Sequence, residues 1–275
     1  MESAPRELRS ERRGDVEILT IDRPAARNAL TFRTYAELER AVRESSARCL
    51  VITGAGSAFC SGDDVKQVMG GGDGPQSPPI ITQSPPIIRP GERLAAQAPR
   101  LTPAAEALLM SDIPVIAAVN GAAVGWGMEL AMLCDLRIAA ERAKFGELFV
   151  LRGLCCDVAG LARLASLVGR EKAAELLFTG DVIDAREAQR IGLVSRVVPD
   201  AELLDAAIAL ATKIAANPPL AVQRIKAGLR EALDPDWQSL GAWVSRSLGE
   251  LFQTEDHREG VKSFLEKRAP RFVGR

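Results

Sequence analysis

The chain carries two hydrophobic periods, one of two residues and one near 3.6. Val16 to Ile21 alternates and is rich in β-branched residues, which predicts a strand ended by Asp22-Arg23-Pro24. Phe32 to Glu44 sets Leu38, Ala41 and Val42 at helical spacing behind Thr31, whose hydroxyl suits a helix cap. Cys49 to Thr53 is a short apolar run, the mark of a strand buried on both faces, and Gly54-Ala55-Gly56 closes it. The same order recurs downstream. Pro114 to Val119 predicts a strand, Asn120-Gly121 a turn, Gly127 to Cys134 a helix and Leu136 to Ala139 a further strand. Strands alternating with helices predict an α/β architecture with parallel strands.

After Gly169 the chain turns helical, and Val158 to Val168 before it already reads as an apolar helix. Glu171 to Phe178, Ala185 to Ile191, Ala201 to Ala216, Leu220 to Leu233 and Trp237 to Phe252 all space their apolar residues by three and four. Asn217-Pro218-Pro219 and Asp234-Pro235 separate the later helices. The expected organisation is an α/β core over residues 1–195 and a helical part over 196–275. Residues 70–103 interrupt the core with Gly70-Gly71-Gly72, two Pro-Pro pairs and a near-repeat of Ser-Pro-Pro-Ile-Ile starting at Ser77 and Ser84. Proline fixes φ and removes donors, so the segment reads as an insertion without regular structure.

Composition narrows the class. Of 275 residues, 47% are hydrophobic and 26% charged, as in an ordinary globular protein. Net charge is −1, from 35 basic and 36 acidic side chains, which gives no overall electrostatic footprint for nucleic acid. No stretch approaches ~20 uninterrupted apolar residues, so no membrane span is read. Residues 1–14 are polar and lack the apolar stretch of a secretory signal. The cysteines, Cys49, Cys60, Cys134, Cys155 and Cys156, are odd in number and contain no C-x-x-C pair. His257 is the only histidine. A disulfide framework, a structural zinc site and histidine-based nucleophilic catalysis are therefore not expected, and the chain reads as cytoplasmic. His257 sits among charged residues and reads as surface or interface.

Two glycine-bearing turns follow apolar strands: Ser57 to Asp64, and Asn120 to Leu130. Each can present backbone N–H groups at a helix N-terminus, and two such donors aimed at one point form an oxyanion hole. Chain reversal alone also explains glycines at such places. Glu129 falls in the first turn of its helix, flanked by Met128 and Leu130; it either complements the helix dipole or serves as an acid or base. Asp157 precedes the helix from Val158; it reads as a cap, a role compatible with proton chemistry.

These residues carry a resemblance. Ala58-Phe59-Cys60-Ser61-Gly62-Asp63-Asp64-Val65-Lys66 resembles a signature of the enoyl-CoA hydratase/isomerase (crotonase) family. Ile116 to Gly121, continuing to Cys134-Asp135, resembles its second signature, and Arg23-Pro24 with Arg27 to Leu30 its N-terminal motif. Leu177 to Gly180, Gly192 to Val194 and Arg258 to Gly260 also match. The resemblance implies a spiral of ββα units with a helical C-terminal part that mediates oligomerisation, as a trimer or a dimer of trimers. It implies an acyl-CoA thioester substrate and no cofactor or metal beyond it. The oxyanion donors would be the amides of Asp63 and Trp126, although the family usually has glycine at the second. Glu129 matches one of the two glutamates of the hydratases, and Phe149 stands where the second belongs. Glu147, two residues away, would replace it only with a shift of register. Asp157 matches a functional aspartate of dienoyl-CoA isomerases and of the chlorobenzoyl-CoA dehalogenase. Arg27, Ala29, Lys66, Phe149, Phe264 and Lys267 match positions that bind substrate or coenzyme A, the last two reaching a neighbouring subunit. The implied reaction is hydration of a 2-enoyl thioester; the alternatives are double-bond isomerisation, thioester or C–C hydrolysis or halide displacement with Asp157 as nucleophile, and binding of acyl-CoA or a partner protein without catalysis.

Overall fold

A computed structural model describes residues 6–65 and 101–275. Lys66 and most of the proline-rich insertion lie outside the described residues. The described chain builds two sheets. Strands β1 (Leu8–Arg13), β2 (Val16–Ile21), β3 (Cys49–Gly54), β5 (Val115–Val119), β7 (Leu136–Ala140) and β10 (Arg196–Val198) form the larger one, in the order β1-β2-β3-β5-β7-β10. All its pairings are parallel except β1 with β2. The smaller sheet has the order β4-β6-β8-β9, from Ala58–Cys60, Ala122–Val124, Lys144–Gly146 and Ile183–Asp184. β3 and β4, β5 and β6, and β7 and β8 each contribute one strand to either sheet in turn, which is the expected spiral.

The inner strands of the larger sheet, β3 and β5 above all, are buried on both faces, which explains their unbroken apolar runs. One face, with Leu19, Leu50, Ile52, Ala117 and Val119, packs toward Phe59 and Phe145 of the smaller sheet. The other, with Ile18, Val51, Ile116 and Ile138, is covered by Leu203, Ala207, Ala211 and Ala215. Those four lie at i, i+4 spacing on the helix Leu203–Ala215, and the three alanines let helix and sheet approach closely. The boundary expected at 195 is therefore misplaced. β10 is a strand of the main sheet and the Leu203–Ala215 helix is its cover, so the helical part proper starts at Pro219. Three helices follow: Pro219–Leu233, Trp237–Leu251 and Glu255–Glu266.

Other elements hold the site. Helix α1 (Phe32–Glu44) begins as expected at Thr31, which accepts from the Thr34 amide while Thr34 accepts from the Thr31 amide. Helix α2 is Pro103–Met110, at the end of the insertion. Helix α3 is Trp126–Leu133, beginning one residue earlier than the pattern predicts. Helix α4 is Val158–Val168, capped by Asp157. The polar segment Leu8–Arg13, read only as lacking a signal, is a strand. The charged run at Glu255 opens a helix whose buried face carries His257, Gly260 and Ser263. His257 is thus not a surface residue: it is buried, its Nδ1 pairs with the Arg152 carbonyl at 2.8 Å, and its ring meets Phe252 edge-on at 4.8 Å. Burial pushes the imidazole toward its neutral form.

Candidate active site

The matched motifs act first as structural clamps. Asn28, fully buried, accepts from the Arg23 amide and donates to the carbonyls of Ala55 (2.8 Å) and Ala58 (2.7 Å). Asn120 accepts from the Gly54 amide (3.1 Å) and donates to the same Ala58 carbonyl (3.2 Å). Two separate motifs are thereby tied to β4 and the turn behind it. The N-terminal motif also pairs with that turn, through Leu30 N–H to the Gly62 carbonyl (2.8 Å) and Asp64 N–H to the Leu30 carbonyl (2.9 Å).

The two glycine turns abut. Gly62 and Gly125 hold φ of +88° and +53°, a region that glycine enters without steric cost. A Cβ built on Gly62 would lie 3.0 Å from the Val124 carbonyl and 3.4 Å from the Trp126 nitrogen, so the two turns are in close contact. The residue after each glycine, Asp63 and Trp126, thus has its amide in the same small region. Among the described residues no backbone carbonyl accepts from either amide. That of Trp126 is an orphan by position, as the first residue of α3.

Four carboxyl groups gather here. Glu129 is 1% exposed, and both its oxygens accept from the Gly160 amide in the first turn of α4, at 3.1 and 3.0 Å. Asp157 receives the Val158 amide on Oδ1 (2.8 Å) and the indole N–H of Trp126 on Oδ2 (3.2 Å). Glu147 follows β8 directly and is 1% exposed; neither of its oxygens has a partner among the described residues. Asp63 accepts from the Tyr35 hydroxyl at 2.6 Å. Burial raises the proton affinity of all four. Asp63 is pushed up to about 6, eased by the Tyr35 hydrogen bond. Glu129 rises well above the usual carboxylate range, first by burial and then by the charge of Asp157, and Glu147 rises by burial and by Glu129. Asp157 rises by burial against the two N–H groups that favour its charge. Like charges this close, out of water, do not all ionise, so part of the set keeps its protons near neutral pH.

A cleft of about 240 Å³ opens beside the turns. Arg27, Asp63, Trp126, Phe149, Arg152 and Phe264 are among the residues on its wall. Phe149 stands at the entry to a 3-10 turn (Val150–Arg152) and presents a phenyl ring there. Arg152 lies 4.5 Å over the Phe264 ring, and both line this chain's cleft. Ala29 is buried, and its carbonyl accepts from Arg23. Lys267, exposed at the end of the last helix, is not on this wall. Sequence reasoning missed Tyr35 and Arg152, and put Glu147 aside because of register. β8 stops at Gly146; beyond it Glu147 is buried and Phe149 lines the cleft. The five cysteines are free thiols; burial pushes Cys60 up to about 12 and Cys155 to about 11, so neither is an activated nucleophile. Among the described residues no group of three or more His, Cys, Asp or Glu is disposed to hold a metal ion, and no helix is long and apolar enough to cross a membrane.

Two interleaved sheets, abutting glycine turns and carboxyl groups buried behind them define a crotonase-type α/β enzyme. The sequence profile of the enoyl-CoA hydratase/isomerase family matches residues 11–80 and 92–275, and the chain belongs to that family. It is 38% identical over 263 residues to the crotonyl-CoA hydratase of Syntrophomonas wolfei, covering 94% of each chain. It is 36% identical over 263 residues to the short-chain-enoyl-CoA hydratase of Clostridium acetobutylicum, again covering 94% of each. The crystal structure of carnitinyl-CoA hydratase from Mycobacterium avium superposes with a TM-score of 0.78 at 35% identity, over 99% of this chain and 100% of that one.

Proposed function

We propose that the chain hydrates a 2-enoyl-CoA thioester through an oxyanion-stabilised enolate. The observation that carries this reading is the pair of amides, Asp63 and Trp126, without backbone acceptors and brought together by abutting turns. Fixed dipoles in such a place hold a thioester oxygen as it gains negative charge, and contribute most when water is excluded. Glu129 then takes a proton from water as the water oxygen bonds to C3, the C2–C3 electron pair moving toward the thioester oxygen. Asp157, in its protonated form, delivers a proton to C2 as the enolate collapses. Glu129 leaves with the water proton and Asp157 without its own, so proton exchange with solvent resets the pair. The raised proton affinity of both groups suits one base and one acid working near neutral pH. Arg27 and Arg152 give the cleft positive charge for the phosphates of coenzyme A. No cofactor or metal is assigned a part.

The reading extends to assembly and place. Ile225, Leu229 and Leu233 are exposed at i, i+4 spacing on the Pro219–Leu233 helix, an apolar face suited to a homo-oligomer, trimeric or a dimer of trimers. Five free thiols, four of them buried, accord with a reducing cytoplasm. The test is loss of the conjugated enone absorbance on mixing with short 2-enoyl-CoA, beside calorimetry with a saturated acyl-CoA. Binding without turnover would leave an acyl-CoA binder, and neither would overturn the reading. Double-bond isomerisation is the second reading, favoured by one observation: a phenyl ring lines the cleft where the second glutamate of hydratases is expected. A ring cannot hold water, whereas Glu129 and Asp157 can shuttle a proton between carbons.

A further inference from the structure

Trp126 is unusual in what its side chain touches. Its ring is 5% exposed and lies on the cleft wall, while its indole N–H reaches Asp157 Oδ2 at 3.2 Å. Tyr35 meets it edge-on, with ring centres 4.6 Å apart and planes at 88°. The Tyr35 hydroxyl in turn donates to Asp63 at 2.6 Å. One continuous chain of contacts therefore runs from the Asp63 carboxyl through two aromatic rings to the Asp157 carboxyl. Of the two protein donors to Asp157, the Val158 amide is fixed by α4 and belongs to its capping role. The indole is the other, and it comes from the side facing the cleft.

We propose that Trp126 is a positioning residue whose indole N–H, braced by Tyr35, fixes the orientation and charge state of Asp157. The proposal rests on the reading that Asp157 handles a proton. An N–H donated to Oδ2 occupies one direction of that oxygen and pins the carboxyl plane, so the remaining lone pairs point in a set direction. It also favours the carboxylate against the groups around it. Those are Glu129 on α3, Glu147 after β8, Asp63 after β4, Tyr35 on α1, and Cys155 and Cys156 in its own loop. Every one is neutral or negative. The indole N–H is therefore the donor that can be removed without disturbing a helix cap, and its loss should let Asp157 take up a proton at higher pH.

Trp126→Phe keeps an aromatic ring against Tyr35 and removes the N–H. In the otherwise native enzyme it should lower kcat roughly tenfold or more, the worth of a hydrogen bond to a charged group, with KM nearly constant and the basic limb of the pH–rate profile, where the acid Asp157 loses its proton, moved up. In an Asp157→Asn background the same change should cost less than about twofold, because coupled residues are not additive. Equal losses in both backgrounds would mean that the ring only packs, and would overturn the proposal. A second measurement needs no turnover. The protein has 3 tryptophans, so 5-fluorotryptophan labelling gives three fluorine NMR signals, and Trp126 is the one missing from Trp126→Phe. Its signal should titrate with pH in the native protein and stay flat in Asp157→Asn. A signal that is flat in both, or titrates equally in both, overturns the proposal. A protein inactive on enoyl-CoA whose signal titrates as expected would overturn the proposed reaction and leave the Trp126–Asp157 coupling standing.

Discussion

Glu129 and Gly160 meet across two helices: the Gly160 amide donates to both carboxylate oxygens of Glu129, at 3.1 and 3.0 Å. The contact puts the negative group of α3 at the positive end of α4, where charge is favoured. It also depends on the absence of a side chain. A Cβ on Gly160 would lie 2.7 Å from Glu129 Oε1 and 3.0 Å from both Cβ and Sγ of Cys156. Gly160→Ala should therefore displace the Glu129 carboxyl. Alanine gains about 1 kcal/mol of helix propensity, so the fold should survive. The expected outcome is a loss of kcat of about tenfold to a hundredfold with small change in melting temperature, since misplacement alone costs that much. Native kcat in a folded Gly160→Ala would separate Glu129 from the chemistry.

Neutralising the two carboxyls proposed to handle protons tests them directly. Glu129→Gln still accepts from the Gly160 amide, and Asp157→Asn still caps α4, because Asn caps about as well as Asp. Each should bind acyl-CoA nearly normally and lose on the order of 10² to 10⁴ in kcat. Calorimetry and steady-state rates on 2-enoyl and dienoyl thioesters check both halves. Full activity in Asp157→Asn would return Asp157 to capping alone.

The buried carboxyls also set a pH dependence of stability. Glu147 starts from an ordinary value of 4.5 in the unfolded chain and is raised in the folded one, mainly by burial and then by Glu129. The folded state thus holds the proton more tightly. Stability from this group is complete below 4.5 and is lost as pH rises through the window up to the folded value. Each proton held this way is worth up to about 1.4 kcal/mol per pH unit within the window. Glu147→Gln removes that proton from the balance. Urea unfolding at pH 5 and pH 8 should find the variant gaining on the native protein as pH rises. A constant difference between the two would mean that Glu147 has no raised proton affinity in the fold.

Much of this was legible in the residues, for reasons that differ by element. The inner strands of the larger sheet announced themselves because both their faces are buried, giving runs such as Cys49 to Thr53. The smaller sheet did not, since β4, β6 and β8 have three residues each, too few for a period. Glu129 and Asp157 were found because motifs place them. Their partners were not, because the Trp126–Asp157 and Tyr35–Asp63 bonds join residues 31 and 28 apart and exist only once the spiral closes. His257 was misjudged because its neighbours in sequence are charged. Its neighbours in space, Phe252 and the Arg152 carbonyl, come from the loop before its helix and the turn beneath it.

The balance between hydration and isomerisation turns on Phe149. It is half-buried on the cleft wall, just ahead of the Val150–Arg152 turn. It is also where the family resemblance places a second glutamate. Phe149→Glu would put a carboxylate on the cleft wall without burying it fully, and Arg152, on the same wall, supplies a favourable charge. Losing a half-buried ring costs on the order of 1 to 3 kcal/mol, which a folded domain of this size tolerates. If the native enzyme lacks only a second group on the water, the variant should raise the hydration rate about tenfold or more, within the usual contribution of a general acid or base. Its isomerisation rate should not rise in step, because Glu129 and Asp157 are untouched. Rates for both reactions, measured on the same preparation with a 2-enoyl and a 3-enoyl thioester, give the ratio. A Phe149→Glu variant that folds, binds acyl-CoA and gains no hydration would mean that the phenyl ring is not what limits water. The burden of holding it would then fall on Glu129 and its buried neighbour Glu147.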